Sequence, residues 1–194
     1  MDQVAGEIWL IRHGETPWSL SGQHTSHTDL ELTEHGKRQA AVLGELLAPV
    51  KFGSVFSSPM KRALDTCSLC GLKPTEILPD LQEWNYGDYE GLTTPQIREV
   101  DPNWAIWTGF LPHGETREQV SARADRALSL LRHAPSPVAV FSHGHFLRIL
   151  AARWIELEAS HGRSLALDTG SVSVLGFERG APVIRAWNNC AVVR

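Results

Sequence analysis

The sequence predicts an α/β fold, a three-layer sandwich in which a mainly parallel central sheet is covered by helices on both faces. Three observations carry this prediction. Short apolar runs typical of buried strands alternate along the chain with longer segments of helical periodicity. No internal repeat, low-complexity tract or linker interrupts this alternation. A length of 194 residues suffices for one compact core, so residues 1–194 are predicted to form a single domain.

The first part of the chain contains two predicted strands with a helix between them. The apolar run Ile8–Ile11 is too short for a typical helix and is rich in large side chains, which favours a buried strand. Thr33 is suited to capping a helix, and apolar residues then recur at helical spacing until Pro49 stops the pattern. Val55 and Phe56 form a short second strand. We expect the helix between them to cover the sheet.

A second helix signal follows these strands. Ser58 and Pro59 predict a helix start with proline at the first helical position, which puts Arg62 in the opening turn. The stretch from Leu78 to Pro95 is interrupted by prolines and glycines and is crowded with aromatic residues. An ordered loop is expected there, with aromatic side chains available to wall a pocket.

The second half of the chain repeats the order of a strand, a short polar segment and a helix. Thr116 and Gln119 predict a capping box at the start of a helix that ends before Pro135. The apolar run Val138–Phe141 predicts a strand, and an apolar helix follows it through Trp154. Near the end of the chain, two strand-like runs flank a predicted hairpin turn over residues 178–180; they are Ser171–Phe177 and Pro182–Trp187.

Charged and polar residues stand at the predicted carboxyl ends of the central strands, where α/β proteins bind ligands. Arg12 and His13 follow the first strand, and His143 follows the strand at residues 138–141. In the opening turn of its helix, the guanidinium of Arg62 adds to the positive end of the helix dipole. Two histidines and two arginines at one edge predict an electropositive cup suited to a phosphoryl group.

Composition limits the classes of partner and of compartment. A formal net charge of -4 gives no general attraction to nucleic acid or to an anionic membrane surface, so neither is expected as a partner. The first residues lack a signal-peptide pattern, and no apolar run reaches the roughly 18 residues of a membrane helix. We therefore expect a cytoplasmic protein with a small phosphorylated molecule as its partner. The helical segments show no pattern typical of a dimer interface. The sequence therefore does not predict whether the protein is a monomer or a homo-oligomer.

The cysteines and histidines do not predict a metal site. Cys67 and Cys70 form a C-x-x-C pair, which could ligate zinc or act as a redox dithiol, but the pair falls inside a helical pattern and no second pair follows. Cys67 and Cys70 are therefore expected to be packing cysteines. Three cysteines, with Cys190 far away in sequence, cannot all pair internally, and a reducing compartment is expected. The nine histidines show no ligand spacing, and no metal or other cofactor is predicted.

From Ile8 to about Trp154, the chain resembles the histidine phosphatase superfamily, which includes phosphoglycerate mutases and sugar bisphosphatases. The resemblance is carried by four motifs in the family's order: residues 12–16 (RHGET), residues 58–66 (SPMKRALDT), residues 81–91 with Glu83, and residues 142–144 (SHG). It implies a phosphoglycerate mutase-like fold. The stretches at residues 12–33 and 83–98 look closest to the branch of sedoheptulose bisphosphatase and broad bacterial acid phosphatases.

The resemblance also implies the catalytic roles. His13 would attack phosphorus in line, while Arg12, Arg62 and a protonated His143 bind the three equatorial oxygens. Glu83 would give a proton to the leaving group and later activate water, which requires it to hold a proton near neutral pH. Glu15 and Glu90 are the rival acids in the sequence, although carboxylates at turns are usually solvated.

Thr16, Ser19 and Thr25 match positions that hydrogen-bond phosphate or substrate in the family. Tyr86, an aromatic face suited to a sugar ring, and Gly144 of the fourth motif are the other substrate-binding candidates. Serine and threonine in such loops also satisfy local backbone groups, and loop aromatics also pack into the core. The three side chains proposed to contact a second phosphate are His24, His145 and Arg148. The HGET echo at residues 113–116 lacks a preceding arginine and is interpreted as a helix cap.

Several functions stay open on the sequence. A cofactor-dependent phosphoglycerate mutase is the main alternative, but the mutases hold a second anion with a lysine and an arginine pair. Thr94 stands at the lysine position, and residues 99–112 contain no Lys, Arg or His. A phosphatase acting on sugar phosphates or bisphosphates is therefore favoured. A non-catalytic phosphoester-binding protein and a zinc hydrolase are two further candidates.

Overall fold

The computed structural model describes residues 6–190, in which six strands form one sheet. The order across the sheet is β3-β2-β4-β1-β5-β6. Strands β1 to β4 are parallel where they pair, whereas β5 and β6 are antiparallel to their neighbours. The start of the chain, where no signal peptide is expected, lies partly outside the described residues. The strands are β1 (Ile8–Arg12), β2 (Ser54–Ser57), β3 (Glu76–Ile77), β4 (Val138–Ser142), β5 (Ser171–Glu178) and β6 (Ala181–Cys190).

Within residues 6–190, six α-helices and three 3-10 turns connect the strands. In this part of the chain, no helix combines the length and the apolar character needed to cross a bilayer. The helices are α1 (Pro17–Ser21), α2 (Glu34–Leu47), α3 (Lys61–Leu69), α4 (Thr94–Val100), α5 (Arg117–His133) and α6 (Gly144–Trp154). The 3-10 turns are Pro79–Leu81, Gly87–Tyr89 and Ala159–Ser164.

Alternation along the central strands divides the core into two layers. In β4, Val138 and Val140 face the cluster formed with α5 and α6, whereas Ala139 and Phe141 face the cluster formed with α2 and α3. Successive side chains of a strand point to opposite faces, so both faces of β4 are covered by helices. All five of its residues are buried. The predicted three-layer α/β fold is confirmed.

The register of the parallel strands brings their carboxyl ends together. Arg12 pairs with Ser142 across β1 and β4, and Ser57 pairs with Phe141 across β2 and β4. The pairing continues one residue further on β1, where the His13 amide donates to the Ser142 carbonyl at 3.1 Å. The three segments that follow β1, β2 and β4 therefore start side by side.

The predicted helix start at Ser58-Pro59 is wrong by two residues. Helix α3 begins at Lys61, because the backbone amide of Lys61 finds its acceptor in Asp29, whose Oδ1 lies 2.8 Å away in a distant loop. Arg62 nevertheless lies in the first turn, as predicted. The short elements α1, α4 and β3 were not predicted from the sequence.

The other predicted elements are confirmed in type, although β6 extends beyond the predicted Pro182–Trp187 at both ends. Thr33 accepts a hydrogen bond from the Gly36 amide and caps α2. Thr116 and Gln119 form the reciprocal capping box of α5. Strands β5 and β6 are joined through Arg179 and Gly180, whose φ angles of 51° and 85° fit a two-residue hairpin turn.

The cysteines occupy two kinds of environment. Cys67 and Cys70 are buried and unpaired, and burial raises the pKa of both thiols to about 12. This agrees with their interpretation as packing residues. Cys190 is unpaired and exposed at the end of β6. Within residues 6–190, no group of three His, Cys, Asp or Glu side chains is arranged to hold a metal ion.

Candidate active site

A cavity of about 180 Å³ opens at the carboxyl ends of β1 and β4. It contains most of the predicted site residues; Arg62 and His143 are outside its lining. The lining residues are Arg12, His13, Thr16, Ser19, Gly22, Gln23, His24, Thr25, Glu83, Tyr86, Gly144, His145, Arg148 and Leu167. Gly22, Gln23 and Leu167 were not predicted, since they come from irregular segments and carry no pattern that distinguishes them.

His13 presents one ring nitrogen to this cavity. Its Nδ1 lies 2.7 Å from the Gly14 carbonyl oxygen, which can only accept, so Nδ1 carries the proton. In the neutral ring, the lone pair is therefore on Nε2. Burial, together with the charges of Arg62 and Arg12, holds the pKa of His13 well below its usual value. The result is a neutral imidazole with a fixed tautomer, which is the form that can act as a nucleophile.

Gly14 is required by a contact with the protein itself. A Cβ at Gly14 would lie 2.4 Å from the carbonyl oxygen of Gly36 in α2, and a Cβ at Gly36 would lie 2.2 Å from the Glu15 carbonyl oxygen. The absence of a side chain at Gly14 lets the segment that follows β1 (residues 12–16, the β1 tip) pack against the start of α2. The Gly14 amide donates to Thr66 Oγ1 at 3.1 Å.

Arg12 brings an incompletely bonded guanidinium to the cavity. Its Nη1 donates to the Leu167 carbonyl oxygen, but its buried Nε has no hydrogen-bond partner among the described residues. An unpaired buried donor is costly, and an anionic ligand would satisfy it. The guanidinium fits closely against the start of α6, since a Cβ at Gly144 would lie 3.2 Å from its central carbon. Gly144 thus gives Arg12 its place in the cavity wall.

Arg62 lies beneath the cavity and is fully buried. Its Nε donates to His143 Nδ1 at 3.1 Å. Its remaining donors reach backbone carbonyls in the segment after α1, those of Thr25, Ser26 and Thr28. The structure therefore brings Arg62 next to His143 and close to His13, but in this arrangement its guanidinium bonds to protein groups.

His143 is neutral, which differs from the protonated form expected from the family resemblance. Its Nδ1 accepts from Arg62, so the proton is on Nε2, which donates to Ser58 Oγ at 2.7 Å. Burial and the charge of Arg62 hold the pKa of His143 well below its usual value. The rings of His13 and His143 lie with their centroids 5.2 Å apart.

Glu83 is held at the N-terminus of α6. Its Oε1 accepts from the backbone amides of Trp84 and Phe146, and its Oε2 accepts from the amide of His145 at 3.0 Å. These hydrogen bonds fix the carboxyl group against the start of α6. The side chain is buried but lines the cavity that contains His13.

The rival carboxylates have structural roles outside the cavity lining. Glu15 accepts from the Thr33 hydroxyl at 2.7 Å, which joins the β1 tip to the cap of α2. Glu90 accepts from the backbone amides of Ser26 and Thr28. Burial alone would raise the pKa of Glu90, but these hydrogen bonds and that of the Ser26 hydroxyl lower it overall. Glu83 is the carboxylate that shares a cavity with His13.

Thr16, Ser19 and Thr25 line the cavity and also bond to the local backbone. Thr16 and Ser19 form the reciprocal capping box of α1, in which each side chain accepts from the backbone amide of the other. The hydroxyl of Thr25 donates to the Gln23 carbonyl at 3.2 Å. The sequence held the signal for α1: a threonine followed directly by Pro17.

Aromatic and imidazole rings form the outer wall of the cavity. The Tyr86 hydroxyl lies 2.7 Å from His145 Nδ1, and burial raises the pKa of Tyr86 well above its usual value. Burial lowers the pKa of His145 strongly and that of His24 to about 4, so both rings are neutral near neutral pH. Trp104 packs edge-on against His24 and belongs to the core.

The three residues suggested as contacts for a second phosphate all line the cavity. Two of them, His24 and His145, carry no charge there. Arg148 is charged, but its Nε and Nη2 donate to the carbonyl oxygens of Gly162 and Arg163. A second anion at this wall would therefore meet one positive side chain whose donors are partly used.

Comparison with known proteins finds one family model, described as the histidine phosphatase superfamily (branch 1), that matches residues 8–190. Among curated relatives, an acid phosphatase of Mycobacterium tuberculosis is 47% identical over 177 residues, covering 89% of this chain and 87% of that protein. A sedoheptulose 1,7-bisphosphatase of Saccharomyces cerevisiae is 36% identical over 191 residues, covering 81% of this chain and 70% of that protein.

Solved structures with the same architecture include a protein from Mycobacterium tuberculosis, with a TM-score of 0.91 and 43% identity over 96% of this chain and 98% of that one. The alpha-ribazole phosphatase of Shigella flexneri has a TM-score of 0.82 and 29% identity over 97% of this chain and 98% of that one.

Proposed function

The chain belongs to the histidine phosphatase superfamily (branch 1) and is a phosphatase, and we propose that it hydrolyses small phosphomonoesters through a phosphohistidine formed on His13. The substrates we propose are phosphorylated metabolites, sugar phosphates or bisphosphates. The reaction needs no metal or other cofactor in this proposal. The single observation that carries it is the state of His13: a neutral ring, with Nε2 unprotonated, inside a cavity that contains Arg12 and Glu83.

In the first step, the lone pair of His13 Nε2 attacks phosphorus, and the bond from phosphorus to the ester oxygen breaks. The hydrogen bond from Nδ1 to the Gly14 carbonyl supports this role, because it holds the ring and stabilises the positive charge that develops. Dividing the displacement into two steps through a covalent intermediate lowers each barrier.

Positive charge around His13 supports stabilisation of the transferring phosphoryl group. Arg12 has a free buried donor for an equatorial oxygen. Arg62 and His143 lie directly behind His13, and the charge of Arg62 already acts on the His13 ring. We propose that substrate oxygens replace some of their present protein partners on binding. Such fixed charges supply most of the catalysis in phosphoryl transfer.

Glu83 is the proposed proton donor and, later, the base. A bound phosphate dianion adds negative charge beside the carboxylate, which favours uptake of a proton by Glu83. That proton passes to the departing alkoxide, and the resulting carboxylate then takes a proton from the water that attacks the phosphohistidine. Inorganic phosphate leaves, and both His13 and Glu83 return to their starting states.

A phosphoglycerate mutase is less well supported than a phosphatase. Thr94, at the position of the mutase lysine, is the first residue of α4, and its hydroxyl lies 3.3 Å from His24 Nε2. The wall beyond it is formed mainly by neutral rings, with Arg148 as its charged member. A second anion therefore has little to hold it during transfer between positions, so water is the expected acceptor.

The test is phosphate release by chelator-treated protein from a panel of sugar bisphosphates, sugar monophosphates and phosphoglycerates, with His13→Ala as the control. Release by the wild-type protein alone, with no rearranged phosphoglycerate, is expected. Equal release by both proteins, or release that disappears with the metal, would overturn the proposal. Glycerol 2-phosphate and p-nitrophenyl phosphate are added as an alkyl and an aryl substrate.

A further inference from the structure

A partly buried ion pair borders the segment that carries Glu83. Arg123 of α5 and Glu115, which precedes α5, are joined by two hydrogen bonds: Nε to Oε1 at 2.8 Å and Nη2 to Oε2 at 2.7 Å. Their side chains are 11% and 16% exposed. Glu115 belongs to the HGET echo that the sequence analysis interpreted only as a helix cap.

The remaining donors of Arg123 bind the backbone of the segment that carries Glu83. Its Nη1 donates to the carbonyl oxygens of Asp80 and Gln82, at 2.9 and 2.6 Å, and its Nη2 donates to the Glu83 carbonyl oxygen at 3.1 Å. All five N–H groups of the guanidinium are thus used, three of them on this short segment. A lysine has three donors on a flexible stem and cannot reproduce this planar arrangement.

Glu115 fixes the other end of the same segment. Its amide donates to the Asn85 carbonyl oxygen at 2.9 Å, and its own carbonyl oxygen accepts from the Trp84 indole at 2.7 Å. The Arg123 guanidinium also lies 4.5 Å above the ring of Phe146, whose amide donates to Glu83 Oε1. The ion pair therefore contacts both the segment that carries Glu83 and the helix that binds its carboxylate.

A cleft of about 550 Å³ borders this side of the segment and is lined by Glu83, Asn85, Glu115 and Arg123 among others. Leu81 and Trp84 anchor the segment in the core, whereas on the side of the cleft its backbone is held by the hydrogen bonds of Arg123. We propose that Arg123 and Glu115 are positioning residues that fix Glu83 for proton transfer to the leaving group. This inference rests on the proposed role of Glu83.

The experiment compares kcat/KM for glycerol 2-phosphate, an alkyl phosphate, with kcat/KM for p-nitrophenyl phosphate, whose leaving group needs no proton. This ratio reports on the acid, because kcat/KM includes only steps up to phosphoryl transfer. Arg123→Lys keeps the charge but loses the planar set of donors. We expect it to lower kcat/KM about 10- to 100-fold on the alkyl phosphate, with a loss of less than about threefold on the aryl phosphate.

The chain offers a matched control on the same helix. Arg126 donates two hydrogen bonds to the side chain of Asp80, but its own side chain is 60% exposed and neither bond reaches the backbone of the segment that carries Glu83. Arg126→Lys should leave both values within about twofold of wild type, because exposed ion pairs contribute little. Glu83→Gln gives the benchmark for complete loss of the acid.

Each outcome has a defined meaning. Equal losses on both substrates for Arg123→Lys, or no loss, would overturn the positioning role while the proposed function stands. A Glu83→Gln variant that loses both substrates equally would remove Glu83 as the acid and the inference with it. Absence of phosphate release by the wild type would overturn both. If Arg123→Lys does not fold, as judged by thermal melting, Glu115→Gln carries the test with the same expected selectivity.

Discussion

The segment that follows β1 (residues 12–16, the β1 tip) and the segment that follows β4 (residues 142–145, the β4 tip) have similar sequences but different chemistry. Each tip places a histidine and then a glycine at the carboxyl end of a central parallel strand, His13 after β1 and His143 after β4. His13 has one ring nitrogen bonded to the backbone and the other free in the cavity. His143 has both ring nitrogens bonded, one to Arg62 and one to Ser58, and is fully buried.

This difference shows that the position at a strand end does not decide the role of a histidine. The hydrogen-bond partners decide it, because they choose the tautomer and leave a lone pair either free or occupied. The next residues matter too. His143 directly precedes α6 as its N-cap, whereas Thr16 caps α1 three residues after His13. The β1 tip thus has two residues between His13 and the helix cap, and the His13 ring lines the cavity. In the β4 tip, His143 is itself the cap residue, and its ring is buried.

The strongest way to test the comparison is to remove each imidazole in turn, starting with His13. His13→Ala should lower kcat on the order of 10⁴- to 10⁶-fold, because the proposed nucleophile is lost. Acid quenching during turnover should trap phosphoprotein in the wild type and none in the variant. A phosphorylated His13→Ala protein would mean that another residue is the nucleophile.

His143→Ala should have a smaller effect of a different kind. The variant removes an imidazole next to the transferring group and leaves Arg62 Nε without its acceptor, so we expect kcat to fall about 10²- to 10³-fold. Phosphoprotein should still be trapped, more slowly. The control is His133→Ala at the exposed end of α5, which should match wild type. If no phosphoprotein can be trapped in His143→Ala, His143 is as necessary for phosphorylation as His13, and the proposed difference between the two histidines is wrong.

The Ser58→Ala variant tests whether the hydrogen bond between His143 Nε2 and Ser58 Oγ accounts for the difference between His143 and His13. The variant leaves the buried Nε2–H of His143 without an acceptor, which should cost about 1–3 kcal/mol of unfolding free energy. A fall in kcat of less than about tenfold is expected. Ser57→Ala is the matched control, since Ser57 is also buried but its hydroxyl donates to the Ser58 carbonyl oxygen and not to His143. If the two variants match, the hydrogen bond to His143 is not important.

In their response to pH, the two tips should behave alike. His13 and His143 have lowered pKa values in the folded protein, as do His24 and His145, so below about pH 6.5 the unfolded chain binds more protons. The free energy of unfolding should therefore fall as pH decreases from about 6.5. The fall should be about 1.4 kcal/mol per pH unit for each histidine that is neutral in the folded protein and protonated in the unfolded chain.

Urea unfolding at about pH 7 and about pH 5 measures this slope. His13→Asn and His143→Asn should each reduce it by a similar amount, although they differ greatly in activity. The reference is the slope of the wild-type protein, measured under the same conditions. A slope unchanged in both tip variants would mean that the lowered pKa values do not act on stability.

Most of the fold could be predicted because its signals are local. Strands such as β4 are continuous apolar runs, and the caps of α2 and α5 are formed by Thr33 and Thr116 as their sequences indicate. The start of α3 was misplaced because its acceptor, Asp29, lies 32 residues away along the chain. The strand β3 has only two residues and no pattern of its own.

The site could be predicted as a set of residues, but not as an arrangement. Sequence motifs identified His13, Glu83 and Arg12, which share the cavity. They could not indicate that Arg62 bonds to carbonyl groups of a loop, or that Glu115 holds Arg123. Such contacts join segments that are distant in sequence, and their geometry depends on the packing of α5 and α6 against the sheet.

The three thiols also provide a chemical reporter of the folded state. In the native protein, a thiol-reactive dye should label Cys190 alone, because Cys67 and Cys70 are buried and their thiols do not ionise near neutral pH. Unfolding would expose all three. The mean number of dye molecules attached per chain therefore reports the fraction of unfolded protein without an activity assay. The same labelling can be measured for every variant proposed above.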